Sequence, residues 1–175
     1  MPAILRKRFL FLAAALWGCG LLHAQIDADA LALNSRPASR EEIAGIWEMT
    51  FQRFSKPVEN DPEATARYQI FAFLEDGVFK NITATRRVSD EDRALFLDIM
   101  PANTRWEVPE AGLLVIRRSE LDADGVEARR VTQDFQDELL SGSPPLKRGD
   151  LVLIYKDKQG IPYLRRYLQP IHPEQ

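Results

Sequence analysis

The stretch that decides the fold is RYQIFAFLEDGVFKNITATRRV, residues 67–88. Apolar residues crowd both sides of Asp76-Gly77, and Asp-Gly between two apolar runs is the strongest short hairpin signal. The stretch therefore predicts two antiparallel strands, one from about residue 67 to 75 and one ending near Val88.

The same period-two pattern extends in both directions from this hairpin. Upstream, Trp47, Met49 and Phe51 alternate with polar residues, which marks a half-buried strand starting at Gly45. Downstream, five more strands are predicted at residues 104–108, 113–119, 126–137, 151–156 and 161–169, with turn residues at 109–112, 122–125 and 157–160. Eight sequential strands without βαβ alternation predict an all-β fold, an eight-stranded antiparallel up-and-down barrel.

Two short helices are expected beside these strands. Ser39-Arg40-Glu41-Glu42 forms a capping box, which predicts a brief N-terminal helix just before the first strand. An inserted helix is predicted within residues 89–103, capped by Ser89, with Leu95, Phe96 and Ile99 spaced to rest on one face.

The first residues have the pattern of a secretory signal. Arg6, Lys7 and Arg8 precede an uncharged apolar run over residues 9–22, which is too short to span a membrane, so no transmembrane segment is expected. Cleavage after Ala24 predicts a periplasmic or secreted protein, whereas lipidation at Cys19 would make it an anchored lipoprotein. We divide the chain into a signal peptide (1–24), a lead-in segment (25–38), one barrel domain (39–170) and a tail (171–175).

Composition excludes several classes of function. Without the signal, the chain has 20 basic and 26 acidic residues, which argues against a nucleic-acid partner. Cys19 and His23 lie in the signal, so His172 is the only histidine left and no cysteine remains. Disulfides, Cys/His metal sites and Cys–His dyads are therefore excluded, and we expect no catalytic residue, metal or cofactor. An enzyme that uses carboxylates such as Glu107 or Asp134 is the least favoured of three functional hypotheses.

Gly45-Ile46-Trp47, behind a short capped helix, resembles the Gly-x-Trp opening of lipocalins and of lipocalin-like bacterial proteins. The resemblance implies an eight-stranded cup that binds small apolar molecules. It also implies structural roles for Gly45 and Trp47, and an arginine near the end of the last strand, Arg165 or Arg166, that covers the tryptophan.

Double arginines point to a candidate ligand site. The pairs at 86–87, 117–118, 129–130 and 165–166 all fall in predicted strands, so each should turn one guanidinium inward. A turn at residues 122–125 places Arg118 opposite Arg129, an unfavourable pair unless an anion lies between them. We expect Arg53, Arg118 and Arg129, with Arg86, to hold a carboxylate or phosphate head group, the alternative being ion pairs with nearby acids.

The loops at 56–66, 89–102, 120–125 and 157–160 should form one mouth, rich in Asp and Glu. This rim could attract a cationic ligand or basic partner, or it could reflect ordinary turn chemistry. The leading function is an exported lipocalin-like binding protein for a small hydrophobic or amphipathic ligand. The alternative is a non-catalytic envelope protein whose barrel docks a protein partner. An open cavity would favour the first and a solid core the second.

Overall fold

The computed structural model describes residues 30–55, 66, 68–136 and 144–171. Residues 30–34 are helical, and nine strands and two helices follow. The strands are β1 (Ser35–Pro37), β2 (Gly45–Phe54), β3 (Tyr68–Phe73), β4 (Phe79–Ala84), β5 (Arg105–Glu110), β6 (Leu113–Arg117), β7 (Ala123–Val131), β8 (Leu151–Lys156) and β9 (Pro162–Pro170). The helices are α1 (Arg40–Ile43) and α2 (Asp90–Ile99). The predicted signal peptide, residues 137–143, His172 and most of the loop 56–66 lie outside the described residues.

Eight of the strands form one strongly curled antiparallel sheet in the order β4-β3-β2-β9-β8-β7-β6-β5. The first long strand, β2, pairs with both β3 and the last strand, β9. The predicted all-β fold with eight antiparallel strands in sequence is confirmed.

The sheet is a half-barrel because its two edge strands meet at one end only. Val78 and Arg105 form an isolated bridge, and Phe79 N donates to Thr104 O at 2.9 Å. Beyond Phe79, β4 has no strand on its outer edge among the described residues, and Lys80 Nζ instead donates to the carbonyl of Leu97 in α2. A helix thus flanks an edge that another strand would cover in a closed barrel.

The other end of the half-barrel is closed by the segment from β1 to α1. Strand β1, which the sequence pattern did not predict, pairs with β7 at residues 129–131, just beyond the part of β7 that β6 covers. The capping box of α1 is present as predicted, with Ser39 N donating to Glu42 Oε2 at 3.1 Å. Ile43 at the end of α1 is fully buried and plugs the core.

The sheet carries an apolar cluster on each face. The inner cluster includes Trp47, Phe71, Phe73, Trp106 and Leu114. The outer cluster includes Leu31, Val131, Leu146, Val152 and Tyr167, and residues from the lead-in segment and the β7–β8 connection cover it. Because both faces are packed, alternation alone does not tell which side of a strand faces inward.

The hairpin between β6 and β7 differs from the sequence prediction. Residues 118–122 make the turn, with Arg118 N donating to Asp122 O at 2.9 Å, so β7 begins at Ala123. Ile116 pairs with Asp124 and Leu113 with Glu127. The predicted pairing of Arg118 with Arg129 is therefore wrong. The observed pairing differs from the predicted one by an odd number of residues. Every side chain of β7 therefore points to the sheet face opposite to the one predicted.

A β-bulge in β2 changes which side chains of this strand face inward, so a second sequence prediction is wrong. The register with β9 shifts between Met49 and Phe51, so Met49 belongs to the inner cluster and Phe51 packs against the outer one. The sequence had placed Trp47, Met49 and Phe51 on one face. A bulge inserts one unpaired residue and so exchanges the two faces of the strand beyond it.

Helix α2 forms where predicted, and its N-cap is as expected, with Asp92 N donating to Ser89 Oγ at 3.1 Å. Two of the three apolar residues predicted to rest on one face are not covered by the sheet, since Leu95 is 55% exposed and Ile99 is 65% exposed. The third, Phe96, borders a groove that Ile82 of β4 also lines. Neither helix in the described part of the chain is long and apolar enough to cross a membrane.

Candidate functional site

A cavity of about 390 Å³ lies on the inner face of the sheet, above the packed core. We call it the inner cavity. Its walls come from β2, β3, β4, β6, β7, β8 and β9, from Arg118 in the β6–β7 turn and from residues 100–104, which follow α2. Five aromatic rings border it: Phe54, Phe71, Phe79, Tyr155 and Tyr163. Over the whole lining, polar and charged side chains are about as numerous as apolar ones. Aromatic rings with polar groups between them are found in many small-molecule sites.

Arg166 in β9 is the most deeply placed charge of the inner cavity, only 6% exposed. Its guanidinium carbon lies 5.4 Å from the ring centroid of Phe71 and 5.1 Å from that of Tyr155. Nη1 donates to Tyr155 Oη at 3.2 Å. The two rings hold the planar guanidinium by cation–π attraction, which is stronger when the cation is shielded from water.

Arg118 borders the same cavity at its rim and is 51% exposed. Nη1 lies 2.7 Å from Asp124 Oδ2 and 3.5 Å from Asp122 Oδ1. Both acids belong to the turn or the strand that follows Arg118 directly. Arg118 therefore forms ion pairs with nearby carboxylates, which agrees with the alternative that these arginines pair with acids of the protein.

Asn81 adds a polar group inside the inner cavity. It is the strand partner of Phe71, the same ring that lies under Arg166. Its Nδ2 atom is buried and makes no hydrogen bond to any residue that the structure describes. A buried amide N–H without an acceptor is costly, so an acceptor supplied by a ligand would be stabilised here.

The other three predicted ligand residues lie elsewhere. Arg53 follows the bulge in β2, between Gln52 and the cavity-lining Phe54, and so points to the outer face. Arg86 is exposed beyond the end of β4, beside a groove that Phe96 also borders. The predicted cluster therefore does not form, and Arg118 is its one member at the inner cavity.

Arg129 is on the outer face, under β1. Its Nε donates to Ser35 Oγ at 2.8 Å, and Nη1 lies 3.2 Å from Glu127 Oε1. Lys156 Nζ contacts the other oxygen of Glu127 at 2.6 Å. Burial alone would raise the pKa of Glu127, but Lys156 and Arg129 outweigh it and hold this pKa below its usual value. The group ties β1, β7 and β8 together.

Trp47 is buried at the closed end as predicted, but the cation over its ring is different. Arg130 lies 5.0 Å from the ring centroid, whereas Arg166 lies over other rings and Arg165 alternates onto the outer face. The pairing of β7 with β6 differs from the predicted pairing by an odd number of residues, which turns Arg130 inward. Arg130 therefore covers the Trp47 ring, the position expected for Arg165 or Arg166 of the last strand. Gly45 adopts φ 132°, which favours glycine at the start of β2.

The carboxylates of the enzyme alternative occupy separate surface positions. Glu107 Oε1 lies 2.9 Å from Arg117 Nη2. Asp134 accepts from Arg148 N at 2.7 Å and Lys147 Nζ at 3.1 Å, and these bonds lower the pKa of Asp134. No group of three or more potential metal ligands occurs in the described ranges. Of the acidic mouth, Glu59, Asp61 and Glu63 lie outside the described residues.

Sequence reasoning missed Arg166 and Asn81 as candidate ligand contacts. The signal was present for Arg166, because the rule that one arginine of each pair turns inward holds for Arg118, Arg130 and Arg166. Which member turns inward depends on register and on the bulge, and these follow from backbone pairing between strands.

No protein-family model, no curated protein and no solved structure matches this chain. The case for its function therefore rests on its own residues and their geometry.

Proposed function

We propose that this chain is an exported lipocalin-like binding protein for a small hydrophobic or amphipathic molecule. The inner cavity is the observation that carries the proposal. Its volume of about 390 Å³ falls within the range of about 300–1,000 Å³ typical of ligand pockets. Rings line its walls, while Trp47 and Phe73 of the inner cluster are buried and do not border it.

The topology supports this proposal. Strand β2 pairs with the last strand, and Trp47 is buried beneath α1, the arrangement that the resemblance of Gly45-Ile46-Trp47 to lipocalins implies. The signal-like residues 1–24 support export to the periplasm or beyond, by cleavage after Ala24 or by lipidation at Cys19.

Docking of an envelope protein is the second candidate. The exposed apolar side chains of α2, Leu95 and Ile99, favour it. Exposed patches of this kind mark interaction surfaces when they are large and contiguous. The inner cavity is the stronger feature because it combines aromatic walls with a nearly buried charge, so ligand binding is the function proposed.

The test is binding by the wild type and by a variant whose cavity is filled. Ile116 on β6 lines the inner cavity, and Ile116→Trp should fill much of it. Native mass spectrometry of protein purified from its own envelope should find a small molecule on the wild type and none on the variant. A fluorescent apolar probe should likewise bind the wild type alone.

Val115→Trp is the matched control, because Val115 neighbours Ile116 on the opposite face of the same strand. It should bind as the wild type does. Equal probe binding by Ile116→Trp and the wild type, with both folded by circular dichroism, would reject the cavity as the site.

A further inference from the structure

The outer edge of strand β4 has backbone groups without a strand partner. In an antiparallel sheet, successive residues turn their N–H and C=O groups alternately toward one neighbouring strand and toward the other. Phe79 N donates to Thr104 O, on the side away from β3. The alternation therefore directs the N–H and C=O groups of Asn81 and Thr83 to this same side. There they make no backbone hydrogen bond to any residue in the described ranges.

A groove of about 870 Å³ borders this edge, and we call it the edge groove. One wall is the end of β4 with the residues that follow it, and the other is α2. Its apolar lining residues are Ala66, Ile82, Ala84, Val88 and Phe96. Helix α2 lies beside β4 without adding a strand to it, through the bond from Lys80 to the carbonyl of Leu97. The edge groove therefore combines open backbone groups with apolar side chains.

Arg86 gives the edge groove a positive charge just beyond the end of β4. The residue is exposed and has neither an ion pair nor a hydrogen bond with the part of the chain that the structure describes. Its neighbour Arg87, by contrast, lies 3.3 Å from Glu48 Oε2. Asp92 of α2 is the one acidic residue among the described lining residues. A carboxylate that enters this groove would therefore be attracted to Arg86.

We propose that the edge groove binds an extended peptide segment of a partner protein, which adds a strand to β4 and places a carboxylate at Arg86. Hydrogen bonds to Asn81 and Thr83 supply affinity, and alternate side chains of the peptide enter the space between Ile82 and Phe96. An α-helix fits this edge less well, because it already satisfies its own backbone groups. The proposal does not depend on ligand binding in the inner cavity.

The first test measures binding of the peptide acetyl-Glu-Val-Thr-Val-Thr-Val-amide by calorimetry. Two copies carry N-methyl groups, one at the valines and one at the threonines, so that each lacks the N–H groups of alternate residues. A strand that pairs on one side uses only one of these sets. One copy should therefore bind about tenfold or more weakly than the parent peptide, and the other within about threefold of it.

The carboxylate is tested with a peptide that has glutamine in place of glutamate. The wild type should bind it about two- to fivefold more weakly than the parent peptide, the usual value of an exposed ion pair. In Arg86→Met this difference should disappear.

Thr83→Pro tests the edge itself. The lost N–H faces away from β3, so the fold should tolerate this proline, whereas peptide binding should weaken about tenfold or more. Phe96→Lys places a charge in the edge groove and should also weaken binding, which keeps the test decisive should Thr83→Pro fail to fold. Leu95→Lys is the matched control, because Leu95 does not border the groove. Circular dichroism checks the fold of each variant.

Equal affinities of the two methylated copies, no binding of the parent peptide by the wild type, or unchanged binding by folded Thr83→Pro and Phe96→Lys would overturn the proposal. So would a dimer in sedimentation velocity that Thr83→Pro abolishes, because a second copy would then occupy the edge. Ile116→Trp, which fills the inner cavity, should bind the peptide as the wild type does, since Ile116 does not border the edge groove.

Discussion

At the residue scale, Trp47 is buried and held by two contacts. Its Nε1 donates to Ile43 O at 2.8 Å, Arg130 lies over one face of the ring, and only 3% of the residue is exposed. The side chain thereby joins α1, β2 and β7 at the closed end. Burial supplies most of its contribution, because a large aromatic ring removes more apolar surface from water than one cation–π contact can match.

Replacing Trp47 should therefore destabilise the fold more than replacing Arg130. We expect Trp47→Ala to lower the free energy of unfolding by about 3–5 kcal/mol, as large aromatic truncations do. Arg130→Met should lower it by about 1–2 kcal/mol, because the methionine retains packing over the ring. Urea unfolding followed by circular dichroism measures both, and an equal loss in the two variants would contradict this ranking.

The ionisation of Asp150 should make the stability of the fold depend on pH. The residue is buried, with Oδ2 accepting from Lys147 N at 2.8 Å. Burial raises the pKa of Asp150, and this outweighs the Lys147 N–H and the charge of Arg130, which act in the opposite direction. A carboxyl whose pKa is raised by folding stabilises the native state below its ordinary pKa, and this contribution is lost as pH rises through the folded pKa.

Asp150→Asn should therefore become more stable relative to the wild type as pH increases above 3.8, the ordinary value for aspartate. Asp134→Asn is the control of opposite sign, because hydrogen bonds from Arg148 N and Lys147 lower the pKa of Asp134. The wild type should gain stability over Asp134→Asn as pH rises toward 3.8, and the difference should level off above that value. Urea midpoints between about pH 2 and 7 give both curves, and parallel curves would refute the assignment.

At the scale of elements, the turn between β5 and β6 is locked against β1. Gly112 has φ 88°, its N donates to Ala38 O at 2.9 Å, and a Cβ here would lie 2.9 Å from Pro37 Cβ. Gly160, in the turn between β8 and β9, has φ 79° and nothing within 4 Å of an added Cβ. The two glycines share a backbone conformation and differ in their surroundings.

Alanine at these two positions separates backbone strain from steric conflict. Gly160→Ala should cost about 1–2 kcal/mol, the penalty of a left-handed residue with a side chain. Gly112→Ala should cost a further 1–3 kcal/mol or so, since Pro37 must move and β1 with it. Thermal unfolding of the pair measures the difference, and identical midpoints would show that β1 does not constrain this turn.

The local sequence of helix α2 predicts where the helix begins but not what its apolar face contacts. Ser89 and the three acids after it fix where the helix starts, and the structure has it there. Leu95 and Ile99 on its apolar face are exposed because α2 lies along the edge of β4 rather than across a sheet face, with Lys80 bonded to the carbonyl of Leu97. Spacing identifies an apolar face, but the position of the edge strand decides what that face meets.

At the scale of the whole molecule, binding and folding should be linked. A ligand that binds only the folded chain stabilises it by about 2.7 kcal/mol at 100 times its Kd. For a domain of this size, that free energy corresponds to a rise of about 5–10 °C in Tm. The apolar probe should raise the Tm of the wild type and leave that of Ile116→Trp unchanged, as measured by differential scanning calorimetry; an equal rise in both would place binding outside the inner cavity.

The sequence by itself determined the all-β class, the chain order of eight antiparallel strands, the Asp76-Gly77 hairpin, both capped helices and the burial of Trp47. These features depend on contacts between residues close in the chain, or on alternation within one strand. The tertiary structure decided which arginines face inward. Strand register and the bulge after Met49 are set by pairing between distant strands, and a shift of one residue exchanges the two faces. Arg130 and Arg166 therefore occupy the interior, Arg53 and Arg129 the outer face, and the candidate site lies where local pattern alone could not place it.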